Sequence, residues 1–223
     1  LYVVATPIGN LGDMSPRAIE TLRSVQLIAA EDTRVTMKLL NAFDISTPLT
    51  SCHEHNERSK AVQIAERMLA ENIDVAVTTD AGTPCISDPG SVLVREAAER
   101  GIPVVAVSGP TAMASALSVS GMDISEFTFY GFLPRQKNEL RDKLTDMARH
   151  SKIAVVHESP HRVVELLQQV QAVLPHTDVS ASCDLTKKFE QTLRGPVEQV
   201  LRLLEENPKA DKGEYCLCLR WAE

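Results

Sequence analysis

The sequence predicts an α/β protein of two domains, with a mostly parallel sheet in the first half and a mixed sheet in the second. Three observations predict it. Short runs rich in Val, Ile and Ala alternate with longer helical stretches along the whole chain, the pattern of repeated βα units. Strands crowd together near the end, over 179–185, 189–193 and 215–219, which favours antiparallel pairing there. Gly121, after a helix of small residues, marks a change of register between the halves. The boundary is expected near residues 112–125, giving domains over 1–115 and 116–223. A chain of 223 residues has room for two domains of about a hundred residues each.

In order, residues 1–5 read as a strand and 6–13 as a loop. Ser15-Pro16 is a cap followed by proline at the first helical position, opening a helix to about 24. Residues 27–30 form a buried strand ending in Glu31-Asp32-Thr33-Arg34, and a helix follows to about 42. A short strand from Leu49 leads into Cys52-His53-Glu54-His55, then a helix over 58–71. The valine-rich strand that starts near Ile73 breaks at Thr79 into small residues, two prolines and two carboxylates. Asp88 and Pro89 read as the N-cap and first residue of the next helix, which runs over 91–100 and stops at Gly101. Residues 104–107 are a strand, and Ser108-Gly109-Pro110-Thr111-Ala112 is a tight turn into the small-residue helix. The second half continues with a strand over 127–130 and a loop over 131–135. A helix over 137–150 and a strand over 153–157 follow. Glu158-Ser159-Pro160-His161-Arg162 then opens a helix to about 174. After the strands at 179–185 and 189–193, Gly195-Pro196 starts a helix to 206, and a polar turn at 209–214 precedes the last strand. The sequence shows no internal repeat and no low-complexity segment.

A net charge of −7 argues against a generally basic, non-specific nucleic-acid binder but leaves room for a local basic face. The sequence has no signal peptide and no long apolar run, so a cytoplasmic protein with no membrane span is expected. Because the chain begins directly in a strand, a trimmed native leader is an expectation. The five cysteines are scattered, and Cys216 and Cys218 find no second pair to complete a zinc site. Reduced structural thiols and no metal are expected.

The glycine fingerprint of dinucleotide folds, a Walker loop, a nucleophile elbow and the H-E-x-x-H zinc motif are all missing. Instead, five polar loops follow strand ends, at 6–13, 31–34, 79–90, 108–112 and 158–162. Five such loops predict one crevice lined from several strands at the carboxyl edge of a sheet. Gly82 would let backbone approach a ligand, and Asp80 would offer it an acceptor.

These loops carry a resemblance. Thr6-Pro7-Ile8-Gly9-Asn10-Leu11, Ala30-Glu31-Asp32-Thr33-Arg34, Asp80-Ala81-Gly82-Thr83-Pro84 and Ser87-Asp88-Pro89-Gly90 stand in the first half. Gly131-Phe132-Leu133-Pro134, Glu158-Ser159-Pro160-His161-Arg162, Leu185-Thr186-Lys187-Lys188-Phe189-Glu190 and Lys212-Gly213-Glu214 stand in the second. In this order they resemble the bacterial small-subunit rRNA (cytidine-2′-O)-methyltransferases of the tetrapyrrole methylase superfamily. The resemblance implies a two-domain tetrapyrrole methylase-like fold, S-adenosylmethionine in the interdomain cleft, a homodimer, and 16S rRNA in the small ribosomal subunit as partner. It places Pro7, Gly9, Asp80, Ala81, Gly82, Thr83, Pro84, Thr111, Ala112 and Gly213 at the methyl donor. Two departures stand out: Thr79 where serine is more usual, and Cys183-Asp184 where Arg-Glu usually precedes the Leu-Thr-Lys run. The small helical C-terminal extension many relatives carry is not among these 223 residues, by truncation or by nature.

Methyl transfer from a sulfonium to a ribose hydroxyl needs positioning, acceptors near the positive sulfur, and a base for a weakly acidic hydroxyl, but no metal. Glu31, Asp32, His53 and Glu158 are the candidates for proton handling. Arg34, Arg135, Arg162, Lys187 and Lys188 are the candidates for phosphate contacts. Arg162 is expected one turn into its helix, projecting near the open amide end as a phosphate contact. Each of these candidates has a plainer alternative. Asp32 and Thr33 can simply cap a helix, Ser159-Pro160 is also a helix start, Arg162 can be an exposed first-turn residue, His53 and His55 can be solvated, and Lys187 and Lys188 can guard a strand edge. Two rivals stay open for function: a methylase of a tetrapyrrole or corrin precursor with the same fold, and a non-enzymatic nucleotide-binding module. Against the first, a wide apolar macrocycle would call for more than 4% aromatic residues.

Overall fold

The computed structural model describes residues 1–221. The chain divides into two compact units, one over Leu1–Thr111 and a second beginning at Ala112.

The first unit is a parallel sheet covered on both faces. Its strands are β1 (Tyr2–Val4), β2 (Leu27–Ala30), β3 (Leu49–Ser51), β4 (Val75–Thr78) and β5 (Val105–Val107), in the order β3-β2-β4-β1-β5. Every pairing in it is parallel. The central strands β2 and β4 are buried along their whole length, which is why they read as continuous small apolar runs. Alternate residues serve opposite faces. Leu27, Ala29, Val75 and Val77 pack on α3 (Glu57–Glu71) and α4 (Ser91–Glu99), through Ala61, Ile64, Ala65, Met68, Leu93 and Ala97. Ile28 and Ala76 pack on α1 (Pro16–Ser24) and α2 (Thr33–Ala42), through Ala18, Leu22 and Leu40. This two-faced burial sends all five carboxyl ends to one edge, where the loops sit.

The second unit is a mixed sheet of β6 (Thr128–Phe132), β7 (Ile153–Glu158), β8 (Thr177–Cys183), β9 (Gln191–Pro196) and β10 (Tyr215–Trp221), in the order β6-β7-β10-β8-β9. Only β6 and β7 pair in parallel; β10 runs antiparallel between β7 and β8, and β9 antiparallel to β8. One face carries α6 (Lys137–His150), α7 (Val163–Val173) and α8 (Val197–Glu205), packed on Ala154, Val156, Val179, Ala181, Leu217 and Leu219. The short helix α5 (Ala112–Ser118) contacts β7, β8 and β10.

Four local expectations are corrected. Asp88 does not cap α4, whose N-cap is Gly90 at φ +125°. The chain makes an extra turn first, with Cys85 and Ser87 in left-handed conformations and the Cys85 amide bonded to the Pro89 carbonyl at 3.2 Å. β6 does not end at Tyr130. Tyr130 is the extra residue of a bulge against β7, after which Gly131, at φ +64°, pairs with Val156 and the strand continues to Phe132. The strand expected at 189–193 lies at Gln191–Pro196, because Asp184 and Thr186 turn left-handed and delay re-entry into the sheet. Gly195-Pro196 therefore ends that strand, and Pro196 caps α8. Arg162 is the N-cap of α7 rather than a residue one turn inside it.

Candidate active site

In the first unit, the loops after β1, β4 and β5 are knitted together by backbone. Thr6 and Gly82 exchange both amide-to-carbonyl bonds, at 2.9 and 3.0 Å. The Thr6 hydroxyl donates to the Thr79 carbonyl at 3.1 Å, and the Thr83 hydroxyl to the Pro110 carbonyl at 3.2 Å. Gly82 is at φ +87°, a backbone conformation that L side chains rarely adopt, so this exchange favours glycine. Residues 5–10, Asp80–Pro84 and the turn ending at Thr111 are thus brought together on one edge. Ala112 opens α5 in the second unit, and Gly213 also lies there.

Next to them, β2 and β4 end in carboxylates that clasp each other's backbone. Glu31 Oε2 accepts the Thr79 hydroxyl at 2.6 Å and the Asp80 amide at 3.1 Å. Asp80 Oδ1 in turn accepts the Asp32 amide at 3.1 Å. Asp32 takes the plainer of its two roles: it caps α2 and accepts Arg34 in two side-chain bonds, at 3.0 and 2.6 Å. Those bonds hold its carboxyl at about 2. His53 follows β3, with its amide on Asn56 Oδ1 at 2.9 Å and its Nδ1 buried without a partner.

The charge balance here is unfavourable. Burial, and then the neighbouring Glu31 charge, raises the Asp80 carboxyl; burial, Glu31 and Asp80 push Asp88 up to about 6. A bound cation would relieve that repulsion, so these residues fit a sulfonium donor. The sign of the stability effect follows. An acid whose folded pKa exceeds its unfolded one adds stability as pH falls through the folded value, and opposes folding above it. Asp88→Asn is therefore expected to melt higher than wild type at about pH 7.5 and to lose the wild-type gain on moving to about pH 5.5. Identical melting-temperature changes with pH in both proteins would sink this.

One residue that sequence reasoning missed anchors this edge. Glu57, the buried first residue of α3, accepts the amides of Gly90 and Val92 through Oε1, at 2.7 and 2.9 Å. It does for α4 what Asp88 was expected to do. A carboxylate two elements away leaves no local sequence signal.

In the second unit, strand register gathers the remaining motifs at one end of the sheet. Phe132 pairs with His157, Glu158 with Tyr215, Tyr215 with Cys183, and Cys183 with Gln191. Glu158 is 4% exposed, with Oε1 accepting the Ser159 amide at 2.8 Å and Oε2 buried without a partner. The expectation that Arg162 projects from an open helix end is corrected. Its guanidinium donates to the Pro134 carbonyl at 3.3 Å and lies 3.9 Å from Glu158, supplying the counter-charge that buried carboxylate needs. Lys187 sits between Asp184 and Glu214, at 3.0 and 2.7 Å. Arg135 and Lys188 are exposed and, among the described residues, in no ion pair. Gly213, at φ +88°, lies so close to Cys183 and Asp184 that a Cβ there would force their side chains to shift.

Residues 1–201 match the model of the Tetrapyrrole (Corrin/Porphyrin) Methylases. The chain belongs to the tetrapyrrole methylase family. This tetrapyrrole methylase is 43% identical over 218 residues to a protein of Vibrio cholerae named ribosomal RNA small subunit methyltransferase I, covering 97% of this chain and 75% of the relative. It is 44% identical over 217 residues to the protein of the same name from Halalkalibacterium halodurans, covering 97% and 74%. Among solved structures, diphthine synthase superimposes with a TM-score of 0.74 at 12% identity, covering 99% of this chain and 88% of that one. That likeness shows the α/β fold expected from the alternation of elements. The relatives' similarity runs through both units, and so through every loop described above.

Proposed function

We propose that this tetrapyrrole methylase transfers a methyl group from S-adenosylmethionine to the 2′-hydroxyl of a cytidine in the decoding region of small-subunit 16S rRNA, and that it acts as a homodimer in the cytoplasm. The observation that carries the reading is identity above 40% across nearly the whole chain to proteins named as small-subunit rRNA methyltransferases. When bound, S-adenosylmethionine supplies an electrophilic methyl on a positively charged sulfur. The Thr6–Gly82 exchange and the Pro110 carbonyl shape backbone for a close approach, and Asp80 and Asp88 offer the cation negative charge. Of the four proton-handling candidates, His53 and Glu158 each keep a buried side-chain atom, Nδ1 and Oε2, with no hydrogen-bond partner among the described residues. Glu31 is committed to two donors, and Asp32, held at about 2, is the weakest base. The rival macrocycle chemistry draws on the description of the family model, whereas the relatives above 40% identity are named for small-subunit rRNA.

Asp80→Ala is expected to weaken S-adenosylmethionine binding at least tenfold in a folded protein, about 1.4 kcal/mol, read by calorimetric titration. Methyl incorporation into small subunits from a strain lacking the enzyme, with the methylated nucleotide identified by mass, tests the whole reading. No incorporation by the wild-type protein, or a methyl on a base rather than a ribose, overturns it.

A further inference from the structure

We propose that the sheet end carrying Phe132 and Phe189 in the second unit is a stacking surface for unpaired bases of the RNA substrate. This rests on the rRNA-methyltransferase reading and adds the structural class of RNA engaged, a single strand rather than a duplex.

Phe132 and Phe189 are 66% and 78% exposed, more than any other large apolar side chain among the described residues. Single exposed apolar residues are ordinary. These two share one end of one sheet. Phe132 closes β6 beside His157, and Phe189 lies in the turn leaving β8, three strand positions away, roughly 14 Å at the usual strand spacing.

Each ring is supported from one side by a flat or cationic group. The His157 ring lies 5.7 Å from Phe132 and 5.2 Å from Phe129. Burial lowers the pKa of His157, so near neutral pH it supports the ring as an uncharged imidazole. Lys188 Nζ stands 5.4 Å over the Phe189 ring and places a cation where a phosphate would follow a stacked base.

Both rings are also presented on fixed backbone. The bulge at Phe129–Gly131 re-aims β6 just before Phe132. The Phe189 turn is held by Lys187 bound to Asp184 and Glu214, and by the Glu190 amide on the Lys187 carbonyl at 3.1 Å. A protein-docking face would surround such rings with aliphatic residues. Here their neighbours along the row are the ion-paired Lys187 with Asp184 and Glu214, the exposed Glu190, and Lys188, which is in no ion pair among the described residues. Isolated rings in a polar, cation-bearing field suit a base, which has an apolar face and a polar rim.

The test uses the full chain and a cytidine-containing RNA oligonucleotide carrying 2-aminopurine, as a single strand and as the matching duplex. Wild type is expected to quench the single strand and to prefer it over the duplex. Phe132→Ala and Phe189→Ala should each weaken single-strand binding about tenfold, the loss typical of one base–aromatic contact. Phe132→Tyr and Phe189→Tyr should restore it, while Phe132→Leu and Phe189→Leu, which keep apolar area without a flat ring, should not. Melting temperature and S-adenosylmethionine affinity should be unchanged in all six. Leucine variants that bind like wild type, alanine variants with undiminished binding, or equal binding of the duplex overturn the proposal. So does conversion of a dimer to a monomer by the alanine variants in light scattering, which would make this a contact between copies. If wild type methylates small subunits while the variants keep full RNA affinity, only the stacking proposal falls. If wild type methylates nothing, the functional reading falls, and the quenching still reports on stacking.

Discussion

Glu57→Ala is expected to lower the melting temperature by about 5–10 °C, the largest stability loss of any single side-chain truncation at the first-unit loops. The carboxylate accepts two amides at the start of α4, one of them buried, and the N-cap residue Gly90 has no side chain to do so. Bonds to a charged group contribute roughly 1.5–3 kcal/mol each, and a buried amide left unsatisfied costs about as much. The negative charge is also favourably placed at a helix N-terminus. Because residues 79–90 lie between β4 and α4, loosening α4 should also weaken S-adenosylmethionine binding by about tenfold. Glu57→Gln separates the causes. Its amide oxygen can still accept both donors, so it should recover most of the melting temperature and of the donor affinity. Thermal melts and calorimetric titrations of the three proteins measure this. Equal melting of wild type and Glu57→Ala would show that the cap contributes nothing.

The second large effect is expected at Gly213. A Cβ there would lie 2.7 Å from Cys183 Sγ and 2.8 Å from Asp184 Oδ2, and φ is +88°. Moving either neighbour breaks a contact: Asp184 Oδ1 bonds Lys187 Nζ at 3.0 Å, and the Cys183 thiol donates to the Lys212 carbonyl at 3.6 Å. Gly213→Ala therefore combines overpacking with a left-handed alanine, together about 2–4 kcal/mol. Gly121 is the control. It has a similar φ of +75° with nothing within 4 Å of its would-be Cβ. Gly121→Ala should cost only the backbone component, about 1 kcal/mol. Denaturant unfolding of both variants gives the difference directly. Methyl transfer should fall with Gly213→Ala and persist with Gly121→Ala. Equal destabilisation would mean that the contacts at Cys183 and Asp184 relax freely.

The strands and helices were readable because their causes are local. Leu27–Ala30 and Val75–Thr78 are small apolar runs that only a doubly covered strand uses, and Ser15-Pro16 caps α1 as its sequence indicates. The loops after β1, β2 and β4 were readable as a set for the same reason. What was not readable came from partners distant in sequence. Asp88 has the composition of a cap, but Glu57, over thirty residues earlier, takes the place and frees Asp88 to join Glu31 and Asp80. Arg162 looked free beside a helix start until the fold buried Glu158 and required a counter-charge. Gly131 reads as a strand end, yet a bulge at Tyr130 lets it pair with β7 and carries Phe132 into the sheet. In each case a local rule competed with a tertiary demand and the tertiary demand prevailed, for Arg162 at a candidate functional residue.

The position of β10 bears on how such a chain comes into being. The last strand in sequence is the middle strand of its sheet, between β7 and β8. As the polypeptide emerges from synthesis, β6–β7 and β8–β9 can form only as two separate ribbons, each with an unsatisfied inner edge. Leu217 and Leu219, which belong to the second core, are not yet available to either. The first unit contains all its strands by Val107 and can fold while the second is still being made. The second must wait, with two adhesive edges open, until Tyr215–Trp221 is delivered between them. A chain stopped just short of that strand would hold a finished first unit and an aggregation-prone remainder.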